Sequence, residues 1–154
     1  THANPASFHP VQRNKSDHLL KALADSGGIL GCSLYPFLIG GRDVTLEAFC
    51  DMMARTVDLM GVDQVGIGSD LVRKCTDDYL AWMRMGRWTQ GVDYGAGGVG
   101  QTSWPLWQDW FQSPVDFPTL ATGLRTKGFS EEETAKLMGE NWLRFFDEAF
   151  QEGS

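Results

Sequence analysis

The sequence predicts an α/β protein built on parallel strands, and three observations lead there. Two short, almost uninterrupted apolar runs, GILGCSLY (28–35) and QVGIGSD (64–70), have the composition of strands buried on both faces. Each follows a segment with helical spacing. The connections between them are short, as in consecutive helix and strand units.

Taken in order, Ser16 is placed to cap DHLLKALAD, with Leu19, Leu20 and Leu23 on one face and Gly27-Gly28 as the stop. The run 28–35 is the first strand, and a glycine-containing loop leads from it to Thr45. Thr45 caps the clearest helix, in which Leu46, Phe49, Met53, Val57 and Met60 keep helical spacing up to Gly61. The second strand, 64–70, is rich in glycine and ends on Asp70. From 71 to 112 the pattern loosens, with a helical turn or two around Tyr79 to Met85, and five of the six tryptophans fall here. A helix then starts near Phe117-Pro118, proline being tolerated in a first turn. Ser130 and Glu133 form a capping box for a last helix that lines Leu137, Met138, Asn141, Trp142, Phe145 and Phe146 along one side. Two parallel strands leave both edges unpaired, so the chain reads as part of a larger α/β layer.

Composition narrows the function classes. At 154 residues, 42% hydrophobic and 21% charged, the chain is long enough for one ordinary globular domain. A net charge of −7 offers no basic stripe for nucleic acid or anionic lipid. Three cysteines, Cys32, Cys50 and Cys75, without a CxxC spacing, suggest reduced thiols and hence a cytoplasmic protein, and argue against a cysteine zinc site. No apolar run approaches the roughly 20 residues that span a bilayer.

In parallel α/β folds functional groups gather where strands end. His2, at the end of a strand expected to precede Thr1, Tyr35, ending the first run, and Asp70, ending the second, would all face one rim. A carboxylate displayed by a glycine-rich strand end suits a metal ligand, a water-orienting base or a partner for an ammonium; equally, Asp70 could cap a following helix. A lone histidine near a terminus is usually just solvated, and no HxH or HExxH spacing supports His2. Arg13 carries a fork suited to a carboxylate, although a solvated loop arginine is the commoner case. His9 and His18 read as structural or exposed, and Cys32 as a small core residue. The tryptophan-rich stretch reads as a substrate wall or a subunit contact, with a local core as the alternative, and Arg84 and Arg87 there are further candidates for substrate contact.

Taken together, H-x-N-P and R-N near the start, the buried strand ending in Tyr35, VGIGSD, and the terminal FSEEETAKLMGENWLRFF resemble the membrane (renal) dipeptidase family of zinc peptidases. The resemblance implies the C-terminal part of a TIM-type (β/α)8 barrel, residues 1–154 forming part of a single metallohydrolase domain whose N-terminal part is not in this chain. It also implies a site with two Zn2+ ions that hydrolyses the peptide bond of a dipeptide through a water bridging the metals. By the same resemblance His2 is a zinc ligand, Arg13 binds the substrate's terminal carboxylate, Asp70 orients the water and takes its proton, Tyr35 lines the pocket, and Asn141 is structural.

The expected partners are a dipeptide, the N-terminal part of the same barrel, and further copies in a homo-oligomer. Since the family's remaining metal ligands lie on earlier strands, the 154-residue chain alone is expected to be inactive. One departure stands out: Leu71-Val72-Arg73 follows Asp70 where the family commonly has Phe-Asp-Gly. Two other readings compete, a related barrel amidohydrolase acting on N-acyl amino acids or lactams, and a non-catalytic assembly module.

Overall fold

The structure, a computed structural model, describes residues 2–72, 76–83 and 104–150. The Ser16 hydroxyl accepts from the Leu19 N–H (3.3 Å) and starts α1 (Asp17–Asp25), whose Asp17 complements the positive end of the helix dipole. Leu20 is its buried anchor. The turn at Gly27 closes with the Gly28 N–H donating to the Leu23 carbonyl (3.0 Å) and leads into β1 (Leu30–Cys32), buried at every position.

The strand is shorter than the apolar run that announced it. The Tyr35 N–H donates to the Ser33 hydroxyl (3.1 Å), and Pro36, with no N–H to give a ladder, opens the short helix α2 (Pro36–Ile39), which the sequence reading had assigned to a loop. Thr45 then caps α3 (Leu46–Met60) by accepting from the Ala48 N–H (3.1 Å), and Gly61 ends it. A single 3-10 turn, Val62–Gln64, delivers β2 (Val65–Ile67).

β1 and β2 pair in parallel, with Leu30 beside Val65, Gly31 beside Gly66 and Cys32 beside Ile67. The edges expected to be unpaired are both occupied. On the β1 side, Ala3 makes an isolated parallel bridge to Cys32: its N–H donates to the Gly31 carbonyl (3.1 Å) and its carbonyl accepts from the Ser33 N–H (3.4 Å). On the β2 side, side chains take the place of a strand. The Asn141 amide donates to the Val62 and Val65 carbonyls (both 2.7 Å) and the Trp142 indole to the Ile67 carbonyl (2.9 Å). The indole lies so close to β2 that a Cβ at Gly66 would stand 2.7 Å from its nitrogen.

Helices cover the sheet. α3 packs against α1 and against α5 (Phe117–Lys127), and Leu20, Phe49, Met52, Met53, Leu120 and Leu124 close over Leu30, Cys32 and Val65 in one core. At Gly123 the approach of α5 to α3 leaves no room for a side chain, since a Cβ would come within 3.0 Å of Leu46 and Cys50. α5 is preceded by a 3-10 turn, Pro114–Asp116, in which the Asp116 carboxylate accepts from the N–H groups of Gln112 and Ser113; these bonds hold its pKa below the usual carboxylate value.

The final helix is divided in two. Ser130 and Glu133 do form the capping box of α6 (Glu131–Ala135), but a π-type stretch, Lys136–Glu140, containing a non-helical Gly139, separates it from α7 (Asn141–Phe150). That break stands directly before the two side chains that occupy the β2 edge. Between the strands and these helices lies α4 (Asp77–Met83), near the turn expected at Tyr79 to Met85. Of the aromatic segment, Trp107 and Trp110 pack half-buried on the core, and the Trp110 indole donates to the Val44 carbonyl (2.8 Å). Over 104–112 the local-core alternative therefore describes it best. Arg73, Cys75, Arg84, Arg87 and Trp88 lie outside the described residues.

Burial pushes the Cys32 thiol up to about 12, and burial followed by the neighbouring Asp51 pushes Cys50 up to about 11, with Lys127 opposing. Neither forms a thiolate near neutrality. Iodoacetamide at pH 8 is expected to leave both unmodified in the folded protein and to label both in denaturant. Peptide mapping by mass spectrometry checks this; labelling of Cys32 before unfolding would contradict its place in the core.

Candidate active site at the carboxyl ends of the strands

Three parallel chain segments, Ala3, β1 and β2, end on the same side of the sheet. His2 adjoins the first, Tyr35 lies three residues beyond β1, and Asp70 three residues beyond β2. The structure brings two of the expected residues together. His2 Nε2 lies 4.0 Å from Asp70 Oδ2, with the side chains 40% and 31% exposed. Both line a shallow depression with Ile67, Gly68, Ser69, Trp142 and Phe146.

Asp70 adopts the left-handed conformation, φ 56°, the only non-glycine residue among those described to have a positive φ. A Cβ-bearing residue pays for that region, aspartate less than most, and such positions cluster at functional sites. The helix-cap alternative finds no support. Leu71 and Val72 are not helical, and α4 begins only at Asp77, behind Thr76.

Arg13 and Tyr35 are not among the residues that line this depression. Tyr35 is buried, its ring edge-on to Phe37 (5.8 Å) and Trp107 (6.0 Å). Arg13 is half-buried in the turn that precedes α1.

That turn is fastened by two buried asparagines, Asn4 and Asn14, which stand in the H-x-N-P and R-N stretches but were given no role of their own there. The Asn4 Oδ1 accepts from the Ser33 N–H (3.0 Å), while its amide donates to the carbonyls of Ser33 (3.0 Å) and Leu38 (3.2 Å). The Asn4 backbone N–H donates to Asn14 Oδ1 (2.9 Å), and the Asn14 amide donates to the His9 and Leu38 carbonyls (both 2.8 Å). The available signal was adjacency, since each asparagine lies within two residues of a candidate, His2 or Arg13.

For a metal, the pair is suggestive but partial. In a tetrahedral zinc site two donors at about 2.0–2.2 Å stand roughly 3.3–3.6 Å apart, so the 4.0 Å between His2 and Asp70 suits an imidazole ligand with a carboxylate beside it more than two ligands of one ion. A tetrahedral set needs four ligands. Among the described residues no cluster of three or more His, Cys, Asp or Glu could hold a metal, so these residues fit an edge of such a site.

Fold and rim together define a stretch of parallel α/β enzyme architecture whose polar groups gather at the strand ends. The model of the membrane dipeptidase family, peptidase family M19, matches residues 1–78, just over half of the chain, and the chain belongs to that family. It is 26% identical to an uncharacterised protein in the pqqA 5′ region of Klebsiella pneumoniae, across 99% of this chain and 46% of that protein. Dipeptidase ataJ of Aspergillus terreus is also 26% identical, across 94% of this chain and 28% of its own length. An amidohydrolase from Pseudomonas aeruginosa shares the fold with a TM-score of 0.82 at 27% identity, across 98% of this chain and 45% of that structure. The chain thus spans about half the length of the bacterial relatives, and less of the fungal one. No helix among the described residues is long and apolar enough to cross a membrane.

The left-handed backbone at Asp70 gives a local test. Asp70→Asn is expected to melt like the parent, whereas Asp70→Val should lose roughly 1–2 kcal/mol, the cost of forcing a β-branched residue into that conformation. Thermal unfolding followed by circular dichroism measures the difference. Equal melting of the two variants would mean that the backbone at 70 relaxes freely.

Proposed function

We propose that residues 1–154 are the C-terminal part of a single TIM-type metallohydrolase barrel, and that the completed enzyme is a zinc-dependent dipeptidase. The observation that carries this reading is the convergence of His2 and Asp70, 68 positions apart in sequence, to 4.0 Å from the two parallel segments that flank β1. Family membership supplies the reaction class.

His2 would contribute one ligand to a two-zinc site completed by residues outside this chain. When bound, the two ions lower the pKa of water and polarise the scissile carbonyl. Asp70, half-exposed at the rim, would orient the attacking water and accept its proton. Arg13 would hold the dipeptide's terminal carboxylate through its planar fork, and Tyr35 would form part of the pocket wall. The dipeptide, the N-terminal part of the barrel and further copies in a homo-oligomer are the proposed partners, and the cytoplasm the proposed location.

A second reading draws on the likeness to the Pseudomonas aeruginosa amidohydrolase, in which the same rim would serve N-acyl amino acids or lactams. Turnover of L,L- and L,D-dipeptides against acylated amino acids and lactams separates the two.

The decisive variants belong in the complete protein. His2→Ala is expected to lose zinc. Asp70→Asn should retain zinc while kcat falls by about 10²–10⁴. Arg13→Ala should weaken binding of a free-carboxylate dipeptide by about 1.5–3 kcal/mol, seen in KM. The 154-residue chain by itself should neither turn over substrate nor hold stoichiometric zinc. Unchanged metal and unchanged turnover in both the His2 and Asp70 variants would reject the assignment.

A further inference from the structure

We propose that the Asn4–Asn14 pair is a positioning device that sets the distance between His2 and Arg13, and through it the length of peptide the site accepts. The proposal rests on the dipeptidase reading, in which the metal end and the carboxylate end of the site are those two residues.

The pair is built to be rigid. Asn4 is fully buried and Asn14 nearly so, and the carbonyl and amino groups of both side chains are used. Both amides donate to the same Leu38 carbonyl at the end of α2, so neither can move without disturbing the other's partner. Backbone bonds reinforce them: the Lys15 N–H donates to the Asn4 carbonyl (2.9 Å) and the Ala6 N–H to the Lys15 carbonyl (2.8 Å), with Pro5 and Lys15 bridged in parallel. Ala3, between His2 and Asn4, is bonded to β1. The backbone that carries His2 and the backbone that carries Arg13 are thus clamped to each other and to β1 and α2 within two residues of each candidate.

The consequence is one of length. Each added residue extends a peptide by about 3.3–3.6 Å, so a site that fixes the span from scissile carbonyl to terminal carboxylate to well within that distance distinguishes a dipeptide from a tripeptide. Neither asparagine touches substrate in this scheme; both act through the residues beside them.

The test uses the complete zinc-loaded protein with the variants Asn14→Ala and Asn4→Ala, and Asn14→Ser as a milder change that keeps a hydroxyl acceptor for the Asn4 N–H. Zinc content, melting temperature, KM and kcat for a dipeptide, and the ratio of kcat/KM between that dipeptide and its one-residue-longer tripeptide are measured alongside Arg13→Ala. The expected result is unchanged zinc, a dipeptide KM raised about tenfold to a hundredfold, and a dipeptide preference reduced by a similar factor, with Asn14→Ser intermediate. Lowered melting with KM and length preference as in the parent would overturn the proposal while leaving the role of Arg13 intact. No change of KM in Arg13→Ala would instead remove the dipeptidase reading of Arg13, and this inference with it.

Discussion

The side-chain amides of Asn4 and Asn14 do for the start of this chain what a longer sheet would otherwise do. β1 and β2 are three residues each, and the segment at Ala3 contributes a single bridge. Such short ladders hold few hydrogen bonds, yet the backbone around them is buried and its polar groups need partners. Asn4 takes both the N–H and the carbonyl of Ser33 just where β1 stops, and Asn14 takes the Asn4 N–H that no strand supplies. Burying an amide costs free energy unless its bonds are made; once they are, losing either partner strands several groups at about 1–3 kcal/mol each. The loop carrying Arg13, the end of β1 and the carboxyl end of α2 therefore stand or fall together.

The opposite edge of the sheet is governed by the same physics with different residues. Gly68 donates to Cys32, so by the alternation of a parallel ladder the Val65 and Ile67 carbonyls turn to the far side of β2. Asn141 and Trp142 meet them there. Where those side chains arrive, the chain breaks helical geometry at Gly139, just before Asn141, and β2 presents no Cβ beneath the indole because residue 66 is glycine. Arg144 adds a bond from its guanidinium to the Asp63 carbonyl (2.6 Å), anchoring α7 to the turn that precedes β2.

What could be read from the sequence follows from how local each cause is. The caps at Ser16, Thr45 and Ser130 and the periodicity of α3 depend on neighbours within four residues, and they stand where the pattern placed them. The break at Gly139 and the short α2 have partners elsewhere in the chain, Val65 and Ile67 for the first and Asn4 and Asn14 for the second, so no periodicity announces them. For the site, the rule that polar groups gather at parallel strand ends was enough to nominate His2, Tyr35 and Asp70, but only the register of Ala3, β1 and β2 distinguishes the pair that meets from the tyrosine that packs among aromatic rings. Asn4 and Asn14 stand in the H-x-N-P and R-N stretches, but their burial was illegible because an asparagine in a polar loop looks the same whether its amide is solvated or buried.

A short stretch of α/β structure can bring two polar groups to one rim without closing a ligand set around an ion. Parallel pairing aligns the carboxyl ends of the strands whatever their length, so three segments suffice to bring His2 to Asp70. It does not by itself supply a ligand set, which needs donors converging from several directions around an ion. His2 and Asp70, on the two segments that flank β1, approach from one side only. The half-exposure of both side chains is what an open side leaves, and the left-handed backbone at Asp70 keeps its carboxylate there at a local cost that simple packing would not require. The bacterial relatives, of whose length this chain spans about half, fit that geometry, because a longer parallel layer can bring further strand ends around to the same rim.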